Sequence, residues 1–215
     1  MNYAFQKYLA LFITIFLLSS TEFLQTGMIA FAAVPIRGEI QASPEEYSLV
    51  IALHACLAVI SISKIRWFVE RLGWRYYVLG SVGIYIIGAL ICSLSDELRI
   101  FTVGRAIMGL GGGSFFTVAR ILANIPTGPS RFTAIKVFSS GVAIGTAAAP
   151  FFAALAVAHD TWQAIFWVLI GEVSLAALLS LAYAPKDPLP HDQWARGGGA
   201  PILLLALISF FLLYV

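Results

Sequence analysis

Apolar residues run through this chain in long blocks, broken by short clusters of Arg, Lys, Glu and Pro. An α-helix rises 1.5 Å per residue, so about 20 apolar residues cross a hydrocarbon core of about 30 Å. Six blocks meet that requirement, at about 9–32, 47–63, 76–95, 99–122, 134–156 and 163–184. A seventh begins near Pro201 and stops at Val215. The first block follows Lys7 and ends in AFAA, in the manner of a signal peptide. It is too long for a signal h-region, carries Glu22 and precedes further spans, so it reads as a retained helix. The pattern predicts an all-α membrane protein: a six-helix transmembrane bundle over 1–184, a cytoplasmic linker over 185–199, and the start of a truncated seventh helix over 200–215.

Composition agrees with a bilayer solvent. The 215 residues are 60% hydrophobic and 11% charged, with a mean hydropathy of +0.90. A soluble domain is nearer a quarter charged, and so few polar residues cannot cover a water-facing surface. The net charge of +2 is small and its basic residues are spread out, which excludes a nucleic-acid binder. Cys56 and Cys92 both sit in apolar blocks and read as core residues, with neither a disulfide framework nor a metal spacing. No cofactor is implied.

The basic residues orient the spans. Lys7, Lys64, Arg66, Arg71, Arg75, Arg120, Arg131, Lys136, Lys186 and Arg196 fall on one side, ten of the thirteen. Arg37 and Arg99 lie opposite, among Glu39, Glu45, Glu46, Asp96, Glu97 and Asp160. The asymmetry places the N terminus, and the loops after the second, fourth and sixth spans, in the cytoplasm.

Four ionisable residues lie deep within spans: Glu22, His54, Arg105 and Glu172. Each costs about 2.5–3.5 kcal/mol at the helix centre on insertion scales, so such residues face a partner or a wet cavity. Glu22 lies about 20 Å from the inner end of its helix, and His54 and Arg105 about 10 Å from the outer end of theirs. The three therefore share a layer in the outer half, and Glu172 sits near the middle of the sixth span. A carboxylate whose proton affinity depends on a nearby arginine and on the wetness of its cavity can couple protonation to a conformational change. The bland reading stays open: a Glu–Arg pair that fixes helix register, a histidine and a glutamate that bond neighbouring helices.

Within "GRAIMGLGGGSFF", Gly109 and Gly113 share one helix face, and Gly141 and Gly145 repeat the spacing in the fifth span. Small residues four apart let membrane helices approach closely. A dinucleotide fingerprint fails, because its third glycine would be Ser114 and no strand precedes it; there is no G-K-[ST] either. "RAIMGLGGG" from Arg105 resembles the fourth-helix motif of the major facilitator superfamily. "VERLGWRYYVL" resembles that family's loop signature between helices two and three. Glu70, Arg71, Gly73 and Arg75 match it, with Glu in place of Asp and Arg66 in place of a glycine. "GVAIGTAAAPFFAA" is similar to the helix-five antiporter motif. It keeps Gly141, Gly145 and Pro150, while its later glycines are alanines and Thr146 stands where a proline is expected. "TWQAIFWV" and "TEFLQTG", the latter with Glu22, resemble the sixth-helix entry and the acidic first-helix motif of drug:proton antiporters.

The resemblance covers nearly the whole chain and implies two inverted three-helix repeats, half of a fold that rocks about a midplane site. It implies a non-enzymatic transporter in the plasma or inner membrane, with small amphipathic molecules and protons as partners and a C-terminal half still to be supplied. Glu22, Arg105, His54 and Glu172 would bind proton or substrate. Gly109, Gly113, Gly141, Gly145 and Pro150 would serve helix packing and sliding. Glu70, Arg71, Gly73 and Arg75 would latch the cytoplasmic face. Phe23, Phe115 and Phe116 read as packing residues or as apolar contacts to a drug. Three alternatives stand beside drug export: a sugar or metabolite facilitator, an inactive truncated half-transporter, and an intramembrane serine protease built on Ser114.

Overall fold

In the computed structural model, backbone is described for residues 3–159 and 161–183, and side chains for 9–159 and 161–181. The expected linker and seventh helix lie outside the described residues. Among the described residues, seven helices follow in order: α1 Tyr3–Phe31, α2 Ala33–Glu39, α3 Pro44–Ser93, α4 Leu98–Gly112, α5 Phe115–Asn124, α6 Pro129–Ala158 and α7 Ala164–Tyr183. Five stretches among the described residues are long and apolar enough to cross a membrane.

The 50 residues of α3 would reach about 75 Å if straight, far beyond one bilayer. Gly73 breaks it with φ 79° and ψ 160°, a region open to glycine. The chain reverses there. Before the break, His54 and Ala58 lie against Gly109 and Gly113, in the same sense as α4. After it, Tyr85, Gly88 and Cys92 meet Gly111, Gly104 and Gly104 again, in the opposite sense. The two arms of α3 are thus the second and third spans. α4 and α5 make the fourth, with a loosened turn at Gly113 and Ser114 that keeps its backbone bonds to Gly109 and Val118.

The glycine-rich run explains how α4 wedges between the arms. A side chain at Gly109 or Gly113 would strike the first arm, and one at Gly111 or Gly112 would strike the second at Tyr85. On the far side of the bundle Gly141 and Gly145 set α6 on the backbone of Phe16 and Ser20 in α1. With no hydrophobic drive between helices in lipid, this backbone proximity supplies the van der Waals contact that holds them. Pro150 lies within α6 without ending it.

α2 occupies what the sequence pattern leaves as an outer loop. Its Ile36 is fully buried, and Glu39 at its end accepts hydrogen bonds from the indole of Trp162 and from Gln163 Nε2, the latter at 3.1 Å. Trp162 and Phe166 pack edge-on against Phe101, which stacks on Tyr47. This aromatic cluster closes one end of the bundle. α3 then starts on a capping box in which Ser43 and Glu46 exchange backbone and side-chain bonds.

Candidate functional site

Glu22, His54 and Arg105 come together between α1, the first arm of α3 and α4, joined by a residue that sequence reasoning did not select. Gln25, fully buried one turn beyond Glu22, donates from Nε2 to Glu22 Oε2 at 2.8 Å. The same nitrogen stands 3.4 Å from His54 Nε2. Its carbonyl accepts from the hydroxyl of Tyr85 at 2.8 Å. His54 Nδ1 lies 2.9 Å from the backbone oxygen of Arg105.

Donor and acceptor counting fixes the histidine's tautomer. A carbonyl only accepts, so Nδ1 carries the proton. Gln25 Nε2 has two protons, one for Glu22 and one for the bare Nε2 of His54. Turning the amide over would set its oxygen against the carboxylate and leave the Tyr85 hydroxyl facing an amine. Four buried polar groups on four helical segments therefore satisfy one another in a single arrangement, with His54 neutral.

Arg105 is buried at 3% exposure. It makes no contact with Glu22 short enough to count as a salt bridge; Arg66–Glu70 is the ion pair among the described residues. Its Nη1 sits 3.9 Å from Met108 Sδ, and its Nε is buried without a partner. The guanidinium nevertheless lies within electrostatic reach of Glu22. The expected acid–arginine pair is thus a bridged arrangement, Glu22 to Gln25 to His54 to the Arg105 backbone.

Glu172 stands apart. On α7, it accepts from Ser20 Oγ of α1 at 2.5 Å, and its Oε2 is buried with no partner. Ser20 and Glu22 point about 200° apart around α1, so the two carboxylates occupy different sides of that helix. The aromatic row Phe23, Phe116 and Phe138 links α1, α5 and α6 at centroid distances of 5.6 and 5.1 Å, while Phe115 packs on Tyr85. Ser114 is fully buried, its hydroxyl has no hydrogen-bond partner, and His54 is engaged elsewhere. No nucleophile–base pair forms there.

At the far end of the bundle, Arg66 Nε donates to Glu70 Oε1 at 2.7 Å. The Arg71 guanidinium lies 4.2 Å over the Trp67 ring. Gly73 makes the reversal itself, and Arg75 follows it, half-buried. Arg66, which stands in place of a glycine, thereby takes up one oxygen of the motif's carboxylate. A cavity of about 480 Å³ lies beside this pair, between the first arm of α3 and α5, with Trp74 and Thr117 on its wall.

Comparison with known proteins bears on this architecture. The family model described as Major Facilitator Superfamily matches residues 15–215. The chain is 28% identical over 164 residues to "Uncharacterized transporter YebQ" of Escherichia coli K12, covering 75% of this chain and 36% of that protein. It is 24% identical over 167 residues to "Multidrug resistance protein Stp" of Mycobacterium tuberculosis, covering 77% and 31%. To "Putative multidrug resistance protein MdtD" of Escherichia coli it is 22% identical over 191 residues, covering 86% and 41%. The chain therefore spans well under half the length of these curated relatives. A solved structure described as "Crystal structure of auto inhibited POT family peptide transporter" superposes with a TM-score of 0.66 at 16% identity, covering 95% of this chain and 51% of that one. Another, from "Structural insights into substrate recognition in proton dependent oligopeptide transporters", gives 0.64 at 17% identity, covering 96% and 48%. At such identities the likeness is one of fold.

Proposed function

Because the chain belongs to the major facilitator superfamily, we propose that it is the N-terminal half of a proton-coupled exporter of small amphipathic molecules, working by alternating access. It is a multi-pass integral membrane protein and a transporter rather than an enzyme. The reading sets the N terminus in the cytoplasm, residues 1–184 as one bundle, 185–199 as linker, and 200–215 as the start of the second half's first helix. Names of relatives that speak of multidrug resistance support the substrate class.

The observation that carries the reading is the buried layer in which Glu22, Gln25, His54, Tyr85 and the Arg105 backbone are joined by hydrogen bonds. Glu22 is the one member that exchanges a proton at low cost to the rest, since it is partly exposed while Gln25 and Tyr85 are sealed. Arg105 holds positive charge near it throughout. Loss or gain of the Glu22 proton changes what Gln25 must donate, and the amide passes that demand to α3 at two points, His54 and Tyr85. The close glycine contacts of α4 and α6 give the helices room to answer by sliding. The Glu70–Arg66 end serves as the latch against the other half.

The test uses the whole transporter in everted vesicles, with drug-dependent proton flux as the readout. Glu22→Gln should abolish coupled flux while membrane insertion and fold persist. Unchanged flux in that variant would overturn the proton role. Arg105→Lys should retain part of the activity that Arg105→Ala loses; equal, full activity in both would reduce Arg105 to packing.

A further inference from the structure

α1 is held on two sides by different means. Toward α6 the hold is backbone: Gly141 lies against the Phe16 carbonyl and Ser19, and Gly145 against Ser20. Toward α3 it runs through side chains. The Gln25 carbonyl accepts from Tyr85 at 2.8 Å, and its amide nitrogen stands 3.4 Å from His54. How closely α1 seats on α6 therefore governs how Gln25 meets its partners.

Gly27 and Ala149 continue the seam with α6. A Cβ added at Gly27 would overlap the Cβ of Ala149, while the Ala149 Cα lies 3.9 Å away. Ala149 is fully buried, and a methyl group has no rotamer that would clear the space. The crossing thus has room for one methyl, and Ala149 fills it. This stretch of α6 has alanines where the antiporter motif it resembles has later glycines; at this crossing the glycine lies on α1 instead. Gly27 follows Gln25 by two residues, about 200° around the helix. A push from α6 at Gly27 is therefore directed toward the side on which Gln25 makes its bonds.

We propose that Gly27 is a positioning residue: by admitting the Ala149 methyl, it sets the spacing of α1 from α3 at which Gln25 bonds Tyr85 and His54. A second methyl at the crossing drives α1 away from α6 by about 1 Å before ordinary contact is restored. Hydrogen bonds tolerate only a few tenths of an ångström at such distances. The amide has to turn, and its donation to Glu22 turns with it. The consequence for transport rests on the reading of Glu22 as the proton carrier; the fit at the crossing does not.

The test places a fluorotyrosine at position 85 of the whole transporter and reads its fluorine resonance, with Gln25→Leu as the reference for a hydroxyl that has lost its amide. Gly27→Ala should move the resonance toward that reference and lower drug-dependent proton flux by about tenfold or more. Adding Ala149→Gly removes the obstructing methyl and leaves the Cα at 3.9 Å as the nearest atom across the seam, an ordinary contact. The swapped pair should therefore restore both the resonance and the flux. Gly171→Ala, where a Cβ meets nothing within 4 Å, should change neither. An unmoved resonance in Gly27→Ala, or a swapped pair that still behaves as Gly27→Ala does, would overturn the proposal. So would wild-type flux in Gly27→Ala beside abolished flux in Glu22→Gln. If Gly27→Ala alone does not reach the membrane, the swapped pair decides: recovered insertion with the wild-type resonance supports the proposal, and no recovery overturns it. Retained flux in Glu22→Gln, with the resonance moved in Gly27→Ala and restored in the swapped pair, would overturn the Glu22 reading and uphold the positioning of Gln25 by Gly27.

Discussion

Gly109 offers the most direct test of how the layer is held. A Cβ added there would sit 2.5 Å from the carbonyl oxygen of His54, and 3.2 and 3.3 Å from that residue's carbonyl carbon and Cα. These are backbone atoms of α3, with no rotamer to move aside. Restoring ordinary contact forces α4 and the first arm apart by about 1 Å. The bond from His54 Nδ1 to the Arg105 carbonyl, now 2.9 Å, spans that seam one turn away and would stretch beyond hydrogen-bond range. Overpacking costs about 1–3 kcal/mol. The lost bond adds about 0.5–1.5 kcal/mol. Alanine's better helix propensity returns about 1 kcal/mol. Gly109→Ala should therefore destabilise the bundle by about 0.5–3.5 kcal/mol, net of these opposing contributions. Gly80→Ala is the matched control, since a Cβ there meets nothing within 4 Å. Reversible unfolding by SDS titration in dodecylmaltoside, followed by tryptophan fluorescence, reads the difference. If both variants unfold at the same midpoint, α4 does not lean on α3 as described and the account of the glycine run is wrong.

Three further outcomes can be measured on the same preparation. Gly73→Ala places a side chain at φ 79°, ψ 160°, and should cost about 1–3 kcal/mol in backbone strain; a midpoint equal to wild type would place the reversal elsewhere. Glu39→Ala releases the Trp162 indole and the Gln163 amide, and should speed amide exchange across α2 while leaving α4 protected. Exchange across α2 unchanged from wild type would show that α2 is held by Ile36 and not by Glu39. Gln25→Leu strands the Tyr85 hydroxyl and the bare Nε2 of His54, at about 1–3 kcal/mol for each buried group left unpaired. A midpoint equal to wild type would mean that the amide does not organise the layer.

The spans were legible because twenty apolar residues in a row have few other uses, and the reversal near Gly73 followed from the charged stretch that separates two such blocks. The α2 helix was not legible: seven residues with one buried isoleucine carry no periodic signal, and its anchor lies more than a hundred positions away at Trp162. In the site, Glu22, His54 and Arg105 could be set at one depth from helix rise alone. Gln25 was not selected as a site residue because an uncharged amide in a span is unexceptional by type. The signal was its place three residues after Glu22, which puts both on one face of α1. Tyr85 hid for a different reason: aromatic residues in apolar blocks read as packing until a partner for the hydroxyl is in view. Gly88, Gly104 and Gly111 are equally informative contacts, yet a list of four-residue spacings does not single them out.

The indirect link between Glu22 and Arg105 bears on how such a layer could work. A buried pair in direct contact is hard to open, since removing one partner leaves the other uncompensated at about 3–5 kcal/mol. At an effective dielectric near 20, two charges interact by about 4 kcal/mol at 4 Å and about 2 kcal/mol at twice that distance. Spacing them through Gln25 and His54 keeps part of that attraction while no charged contact has to break. The neutral bridge instead ties the state of the carboxylate to the orientation of one amide, and the amide to both arms of α3. Gln25→Glu tests that division of labour. A second carboxylate beside Glu22 can still accept from Tyr85, but it meets Glu22 with like charge unless one of the two carries a proton. In the proton-flux assay this variant should shift the pH optimum of transport rather than abolish it, whereas Gln25→Leu should abolish it at every pH. The same pH profile in Gln25→Glu as in wild type would show that Glu22 works without the amide and that the hydrogen-bonded bridge is only scaffolding.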